Sequence, residues 1–343
     1  MTLRSSLRQG EEILALAGIE EAGLDAWLLL EHTTGVDRAR YYADPDIQIS
    51  GEQQARFCEL IRQRASHIPL QFLTGEAWFC GLRFKVNEHV LIPRQDTETL
   101  VEEALKLLPA EKSNRENRAG KKAVTDLNSD IHDEVSDTSV RVLDMCTGSG
   151  CIIVSLKSFR PDIEAVGADL SEQALKVARE NAAANHTDVY FVLSDMFQAF
   201  DRCKVPVSPV RETNSLTDAD VEFRGRQTAD NGGSTEGSQC FDLILSNPPY
   251  IRSDVIPTLM DEVKLHEPHI ALDGGADGLE FYRILVRDSG RYLKKGGHLA
   301  MEIGYDQGGS VSDLLTQAGF TDVRIVKDLA GMDRVAVGSR SDE

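Results

Sequence analysis

Asn247-Pro248-Pro249-Tyr250 is the segment of this 343-residue chain best equipped for chemistry. It directly follows Phe241-Asp242-Leu243-Ile244-Leu245-Ser246, a short apolar run that reads as a buried strand. The tetrapeptide therefore sits at the carboxyl end of a strand, where open α/β sheets place their ligands. Asn247 offers one carbonyl acceptor and one amide donor group. Pro248 and Pro249 have fixed φ and no N–H, so they stiffen the turn and leave carbonyls as its main-chain polar groups. Tyr250 adds an aromatic face. The combination suits gripping a planar amide or amine by its N–H groups while a cation approaches from one side. The other reading is an ordinary Asn-Pro turn that ends a strand.

The elements upstream favour the first reading. Val140-Arg141-Val142-Leu143-Asp144-Met145 reads as a strand, Cys146-Thr147-Gly148-Ser149-Gly150 as a tight loop, and Cys151 to Phe159 as a mostly apolar helix. Glycines in such a turn tolerate positive φ and let a ligand approach the backbone, and the helix N-terminus presents free N–H groups. A second strand, Ile163 to Asp169, ends in an acid about 20 residues after the glycine turn, a spacing suited to ribose hydroxyls. After a helix from Glu172 to Asn185, a third strand, Val189 to Leu193, ends in Ser194-Asp195-Met196-Phe197. Each strand end thus brings polar groups to one edge of the sheet. The glycine turn lacks the third glycine of the dinucleotide fingerprint and the Gly-Lys-Ser/Thr of a phosphate loop. This favours an adenosine-containing ligand without a diphosphate, a description that S-adenosylmethionine fits.

With these residues in view, the chain resembles the class I S-adenosylmethionine-dependent methyltransferases, and more narrowly the HemK/PrmC family of protein-(glutamine-N5) methyltransferases. The matching segments are Leu91-Ile92-Pro93-Arg94-Gln95-Asp96-Thr97-Glu98-Thr99-Leu100-Val101, Val142 to Ile152, Ser246 to Ile251, and the pairs Glu267-Pro268 and Ala271-Leu272. Gln95 stands where the family usually has proline. The resemblance implies a Rossmann-like domain behind a small helical bundle. It also implies methylation of the glutamine in the Gly-Gly-Gln loop of peptide chain release factors. On that basis Cys146, Thr147, Gly148, Ser149 and Gly150 are expected to cradle the methionine part of the cofactor. Asp169 should take the ribose hydroxyls, and Asp195 and Met196 should border the adenine. Asp144 is expected to shape the loop, with the cofactor's amino group within reach.

Asn247 Oδ1 and the Pro248 carbonyl are expected to accept the two N–H bonds of the target amide, orienting it and stabilising positive charge on nitrogen. Pro249 completes the turn, and Tyr250 packs against the amide with its π face toward the positive charge. For Arg94 and Glu267 two readings stand side by side, orienting the incoming peptide or forming surface ion pairs. No metal is expected.

Net charge is −19, from 56 acidic and 37 basic residues. A duplex DNA substrate is disfavoured, because phosphate contacts dominate nucleic-acid affinity. An acidic enzyme more naturally meets a basic protein. No stretch is long and apolar enough to span a bilayer, and Gly10-Glu11-Glu12 interrupts the basic start before any signal-peptide core. A cytoplasmic monomer is expected. Six cysteines without a Cys-x-x-Cys pair read as free thiols.

Residues 1–75 read as a small helical bundle, with helices over Leu3 to Leu16, Leu24 to Leu30 and Gly51 to Arg64, the second capped by Asp25 and the third by Ser50; the resemblance implies a substrate-recognition domain there, and the other reading is a stabilising appendage. Residues 76–92 read as a β-hairpin linker and 93–343 as the methyltransferase domain. Two polar segments, 110–138 and 201–239, look like insertions of solvated loop. Further on, Asp96 to Leu108, Gly278 to Tyr292 and Val311 to Ala318 are expected helices. Gly297 to Ile303 is an expected strand, and Val323 to Val326 with Arg334 to Val337 an antiparallel pair. Alternation of strands and helices defines a doubly wound α/β domain. Competing functions are methylation of another protein glutamine, as on a ribosomal protein, of a nucleic-acid base, or cofactor binding without catalysis.

Overall fold

A computed structural model of the chain describes residues 1–110, 139–200 and 240–341. The two expected insertions fall, apart from Ala110, outside the described residues.

The first five helices are α1 (Leu3–Leu16), α2 (Ala22–Thr34), α3 (Arg38–Ala43), α4 (Gly51–Ala65) and α5 (Leu70–Thr74). Leu3, Leu14, Leu29, Leu30, Phe57, Leu60 and Ile61 bury their side chains in a common core. Gly10 lets α1 and α4 approach closely, since a Cβ there would lie 2.8 Å from the Phe57 ring. Ser50 caps α4 in a reciprocal capping box with Gln53, satisfying two otherwise unpaired N–H groups.

The expected cap at Asp25 is incorrect. Helix α2 already begins at Ala22, with Glu21 at its N-cap, and the Asp25 N–H bonds back to the Glu21 carbonyl. Asp25 is instead buried and accepts from Arg64 Nε at 2.6 Å. The same guanidinium reaches Glu262 Oε1 at 2.5 Å, 198 residues away, and the Ile68 carbonyl at 3.3 Å. Burial of a charge demands such pairing, and here it ties the helical bundle to the rest of the chain.

Strands β1 (Glu76–Phe79) and β2 (Leu82–Lys85) form an antiparallel hairpin. Its two-residue turn, Cys80-Gly81, has both residues at positive φ, as hairpins of this length require. Phe79 and Phe84 pack into the larger domain's core. Buried Asn181 fastens the hairpin, accepting from the Lys85 N–H and donating to both the Lys85 and Ser149 carbonyls.

The remaining elements build a seven-stranded sheet. They are α6 (Glu98–Leu107), β3 (Arg141–Met145), α7 (Cys151–Phe159), β4 (Glu164–Asp169), α8 (Glu172–Ala184), β5 (Val189–Leu193), β6 (Phe241–Ser246), α9 (Asp261–His266), α10 (Glu280–Ser289), β7 (Leu293–Glu302), α11 (Gly308–Gln317), β8 (Thr321–Lys327) and β9 (Asp333–Ser339). Strand order is β5-β4-β3-β6-β7-β9-β8. β5 to β7 run parallel, and β9 is antiparallel to both neighbours. This is a doubly wound α/β fold. The order changes direction between β3 and β6, so the crevice beyond their carboxyl ends is where such a sheet binds ligands. Helix α9 was not expected from the sequence. Among the described residues no helix is long and apolar enough to cross a membrane.

Candidate active site

The crevice at the carboxyl ends of β3, β4, β5 and β6 opens into a cleft of about 1010 Å³ counting its mouth. Its geometry starts with the loop after β3. Cys146, Gly148 and Gly150 all adopt positive φ, folding five residues into a turn that delivers Gly150 to the N-cap of α7. Only glycine fits the last position comfortably, because a Cβ on Gly150 would meet the Ala178 Cβ of α8 at 3.2 Å. The Thr147 hydroxyl donates to Asp144 Oδ2 at 2.6 Å, and the Gly148 N–H donates to Asp169 Oδ2 at 2.9 Å.

Asp169 combines two tasks. Its Oδ1 accepts from the Ser171 N–H at 2.9 Å, shaping the entry to α8, while Ser171 itself caps that helix. The same carboxylate also lines the cleft. Burial raises its pKa against the pull of those N–H groups.

Of the residues singled out in the sequence, Cys146, Thr147, Gly148, Ser149, Asp169, Asp195, Met196, Asn247, Pro249 and Arg94 line this one cleft. Gly150, Pro248, Tyr250 and Glu267 adjoin these lining residues. Pro248 is buried. Tyr250 packs against the sheet's core and turns its hydroxyl to Glu302 Oε1 at 3.2 Å. Burial, with Glu302 adding its negative charge, drives the phenol pKa up. Arg94 and Glu267 pair with each other, Nη2 to Oε1 at 2.5 Å. The ion pair is not a surface one on both sides, since the Glu267 side chain is 1% exposed against 41% for Arg94.

Several residues of the site escaped the sequence reading. Thr97 Oγ1 receives the Asn247 side-chain N–H at 3.3 Å. Gln307 donates to the Tyr250 and Gly278 carbonyls and accepts from the Gly304 N–H. Gly274 and Gly278 press against the Tyr250 backbone, where a Cβ would come within 2.7 and 2.5 Å. The glycine-rich run Asp273 to Gly278 was the available signal for this packing. Thr97 lies inside the Pro93 to Val101 segment, so its neighbourhood was marked though its partner was not.

Two family descriptions match the chain, the PrmC N-terminal domain over residues 5–75 and the methyltransferase small domain over residues 124–208. A release factor glutamine methyltransferase of Caulobacter vibrioides is 35% identical over 99% of this chain and 97% of its own length. The chain belongs to the release factor glutamine methyltransferase family. A second family member, from Clostridium botulinum, is 35% identical over 98% of both chains. Among solved structures, a release factor-specific protein-(glutamine-N5) methyltransferase of Alicyclobacillus acidocaldarius is 26% identical, covering 75% of this chain and 99% of that one at a TM-score of 0.36. Family membership makes this chain a methyltransferase with a class I fold.

Asp144 lies beneath the glycine loop of this methyltransferase and carries a pH signature. It is completely buried, and its Oδ1 has no hydrogen-bond partner among the described residues. Burial, opposed by the Thr147 hydroxyl and aided by the Asp169 charge, pushes its pKa up to about 7. The unfolded chain releases this proton near pH ~4. Folding therefore holds a proton that unfolding gives up, and stability declines as pH rises through the window from about 4 to about 7. Replacing Asp144 with Asn should flatten that decline. Thermal unfolding at pH 5 and pH 8 checks it: the parent chain's Tm should drop between the two by more than the Asp144→Asn variant's. An equal drop in both would remove Asp144 as the source.

Proposed function

We propose that this chain transfers a methyl group from S-adenosylmethionine to the side-chain amide nitrogen of the glutamine in the Gly-Gly-Gln loop of peptide chain release factors. Family membership supports the reaction class. The observation that carries the reading at the residue level is Asn247, held at the end of β6 on the wall of the cleft that also contains the glycine loop and Asp169.

The cofactor side of the cleft fits the expected ligand. Its wall there is Cys146 to Ser149, Asp169 to Ser171, Asp195 and Met196. It carries two carboxylates and no cationic side chain, which suits a sulfonium cation and opposes a diphosphate. Cys146 to Gly150 would hold the methionine part, Asp169 the ribose, and Asp195 with Met196 the adenine. When bound, S-adenosylmethionine supplies an electrophilic methyl group on a cationic sulfur.

The remaining work falls to the protein. An amide nitrogen is a weak nucleophile because its lone pair is delocalised into the carbonyl. Asn247 Oδ1 and the Pro248 carbonyl accept its two N–H bonds, which orients the nitrogen and favours the positive charge that grows on it. Holding the nitrogen in line with the methyl group removes most of the entropic barrier. Tyr250 and Pro249 shape the turn that presents these acceptors. The Arg94–Glu267 pair stands at the substrate side and orients the incoming loop. Residues 1–75 serve as the recognition domain and 76–92 as its link to the catalytic domain. The chain's acidity suits a basic protein partner.

The experiment that tests this reading is transfer of a radiolabelled methyl group to purified release factor, beside the same factor with the Gly-Gly-Gln glutamine replaced and beside duplex DNA. Label on the intact factor alone supports the reading; label on DNA, or none on the factor, overturns it. On the cofactor side, Asp169→Ala should raise the Kd for S-adenosylmethionine about 10- to 100-fold, the loss of a hydrogen bond to a charged group together with a loosened loop. Titration calorimetry measures it, and an unchanged Kd would remove Asp169 from the cofactor site.

A further inference from the structure

Gln307 stands at the N-cap of α11, yet its side chain makes no capping bond to that helix. It turns back into the protein and is 9% exposed. Nε2 donates to the Tyr250 carbonyl at 3.0 Å and to the Gly278 carbonyl at 3.1 Å. Oε1 accepts from the Gly304 N–H at 2.9 Å, and the Tyr282 hydroxyl lies 3.2 Å from the same oxygen. A carbonyl only accepts and a backbone N–H only donates, so a single orientation of this amide satisfies all of them. Its main chain is held as well, the N–H on the Gly304 carbonyl and the carbonyl by the Val311 N–H. Gly278 has to be glycine for the arrangement to close, since a Cβ there would lie 2.5 Å from the Tyr250 carbonyl oxygen and 2.8 Å from Gln307 Nε2.

The Asn247-to-Tyr250 turn depends on such an anchor. The proline rings fix φ at positions 248 and 249 but leave ψ free, and ψ of Pro248 sets where its carbonyl points. The turn's orientation therefore comes from how its two ends are held. At the near end Ser246 pairs with Met145 of β3 and Met301 of β7. Beyond the far end Ile251 donates to the Leu272 carbonyl and accepts from the Gly274 N–H. Between the two, Gln307 grips the Tyr250 carbonyl and joins the turn to the start of α11.

We propose that Gln307 is a positioning residue for methyl transfer: by clamping the Tyr250 carbonyl it fixes the turn in the conformation that presents the Pro248 carbonyl, beside Asn247 Oδ1, to the target amide. This rests on the reading that those two oxygens hold the glutamine. Without the clamp the free ψ angles let the turn swing, and the amide nitrogen is no longer held in line with the methyl group.

Gln307→Met tests this by removing both donors at similar side-chain length. The expected result is a kcat about 10- to 100-fold lower with the Kd for S-adenosylmethionine within about two-fold of the parent. Gln307→Glu keeps the shape but turns a carboxylate toward two carbonyls, and should lose at least as much; if one variant fails to fold, the other decides. Tyr282→Phe is the control. It removes a neighbour of the same amide oxygen but leaves the Tyr250 carbonyl held, so kcat should stay within about three-fold of the parent. A parent-like kcat in a folded Gln307→Met or Gln307→Glu overturns the proposal. So does an equal loss in Tyr282→Phe or a parallel loss of cofactor binding, either of which would mark a merely structural role. A second readout, amide hydrogen exchange, does not depend on turnover. The Ile251 and Gly274 N–H groups should exchange about 10-fold faster in the Gln307 variant than in the parent. The Thr147 N–H, bonded to the Ala168 carbonyl in the glycine loop, should not change. If the parent methylates no release factor, the proposed function fails while the exchange still decides the clamp. Unchanged exchange at Ile251 and Gly274, or equal acceleration at Thr147, overturns it.

Discussion

Asn247→Ala is expected to lower kcat about 10²- to 10³-fold while the Kd for S-adenosylmethionine stays within about two-fold. In the proposed reaction the asparagine carbonyl does more for the transition state than for the bound ground state. The amide nitrogen of the target gains positive charge only as the methyl group arrives, and its N–H dipoles strengthen with it. An acceptor already fixed in place stabilises that change at no reorganisation cost. Asn247 is half-buried on the cleft wall and uncharged, so truncation leaves neither a core cavity nor a buried charge, and the fold should survive. The turn keeps its shape through Pro248, Pro249 and the Gln307 bond to the Tyr250 carbonyl. Single-turnover methyl transfer, run beside cofactor titration, separates the two quantities. A kcat within a few-fold of the parent would leave the main-chain carbonyls as the whole of the amide-binding device and remove the side chain from the mechanism.

The strands that build this site could be read from the chain alone, and the reasons are local. β3, β4 and β6 are covered on both faces, so they read as short continuous apolar runs, and the glycines of the Cys146 to Gly150 loop mark its tight turn directly. The parts that could not be read depend on partners far away. Thr97 meets Asn247 across 150 residues, and Glu302 meets Tyr250 across 52. Nothing in the residue types announces either pairing. β7 was expected from Gly297, yet it begins at Leu293. Lys294-Lys295-Gly296-Gly297 has the composition of a turn, but Leu293 aligns with Phe241 of β6, and tertiary pairing outweighs local preference. Asp25 reads as a helix cap because aspartate favours that position. Its real task becomes visible only when Arg64 of α4 is packed against α2.

Loss of Arg64 should therefore destabilise the fold strongly. Arg64→Ala leaves Asp25, at 8% side-chain exposure, as a buried charge without its partner, at an expected cost of about 3–5 kcal/mol. Denaturant unfolding measures it. Glu262 is more exposed, at 31%, so water takes over part of its loss and Asp25 carries most of the penalty. Replacing both Asp25 and Arg64 with apolar residues of similar volume should recover much of the stability, because the cost lies in the orphaned charge more than in the lost attraction. The same substitution reaches the active site by a physical route. Glu262 sits in α9, and the segment that follows supplies Pro268, Ile270 and Ala271 to the cleft wall. That segment is held at one end by Arg64 and at the other by Arg94 on Glu267. With the first tie cut, the wall facing the protein substrate loosens while the glycine loop and Asp169, on the far side of the cleft, keep their bonds. KM for the release factor should rise and the Kd for S-adenosylmethionine should not. A parallel rise in both would mean that the helical bundle supports the whole catalytic domain instead of the substrate side of its cleft.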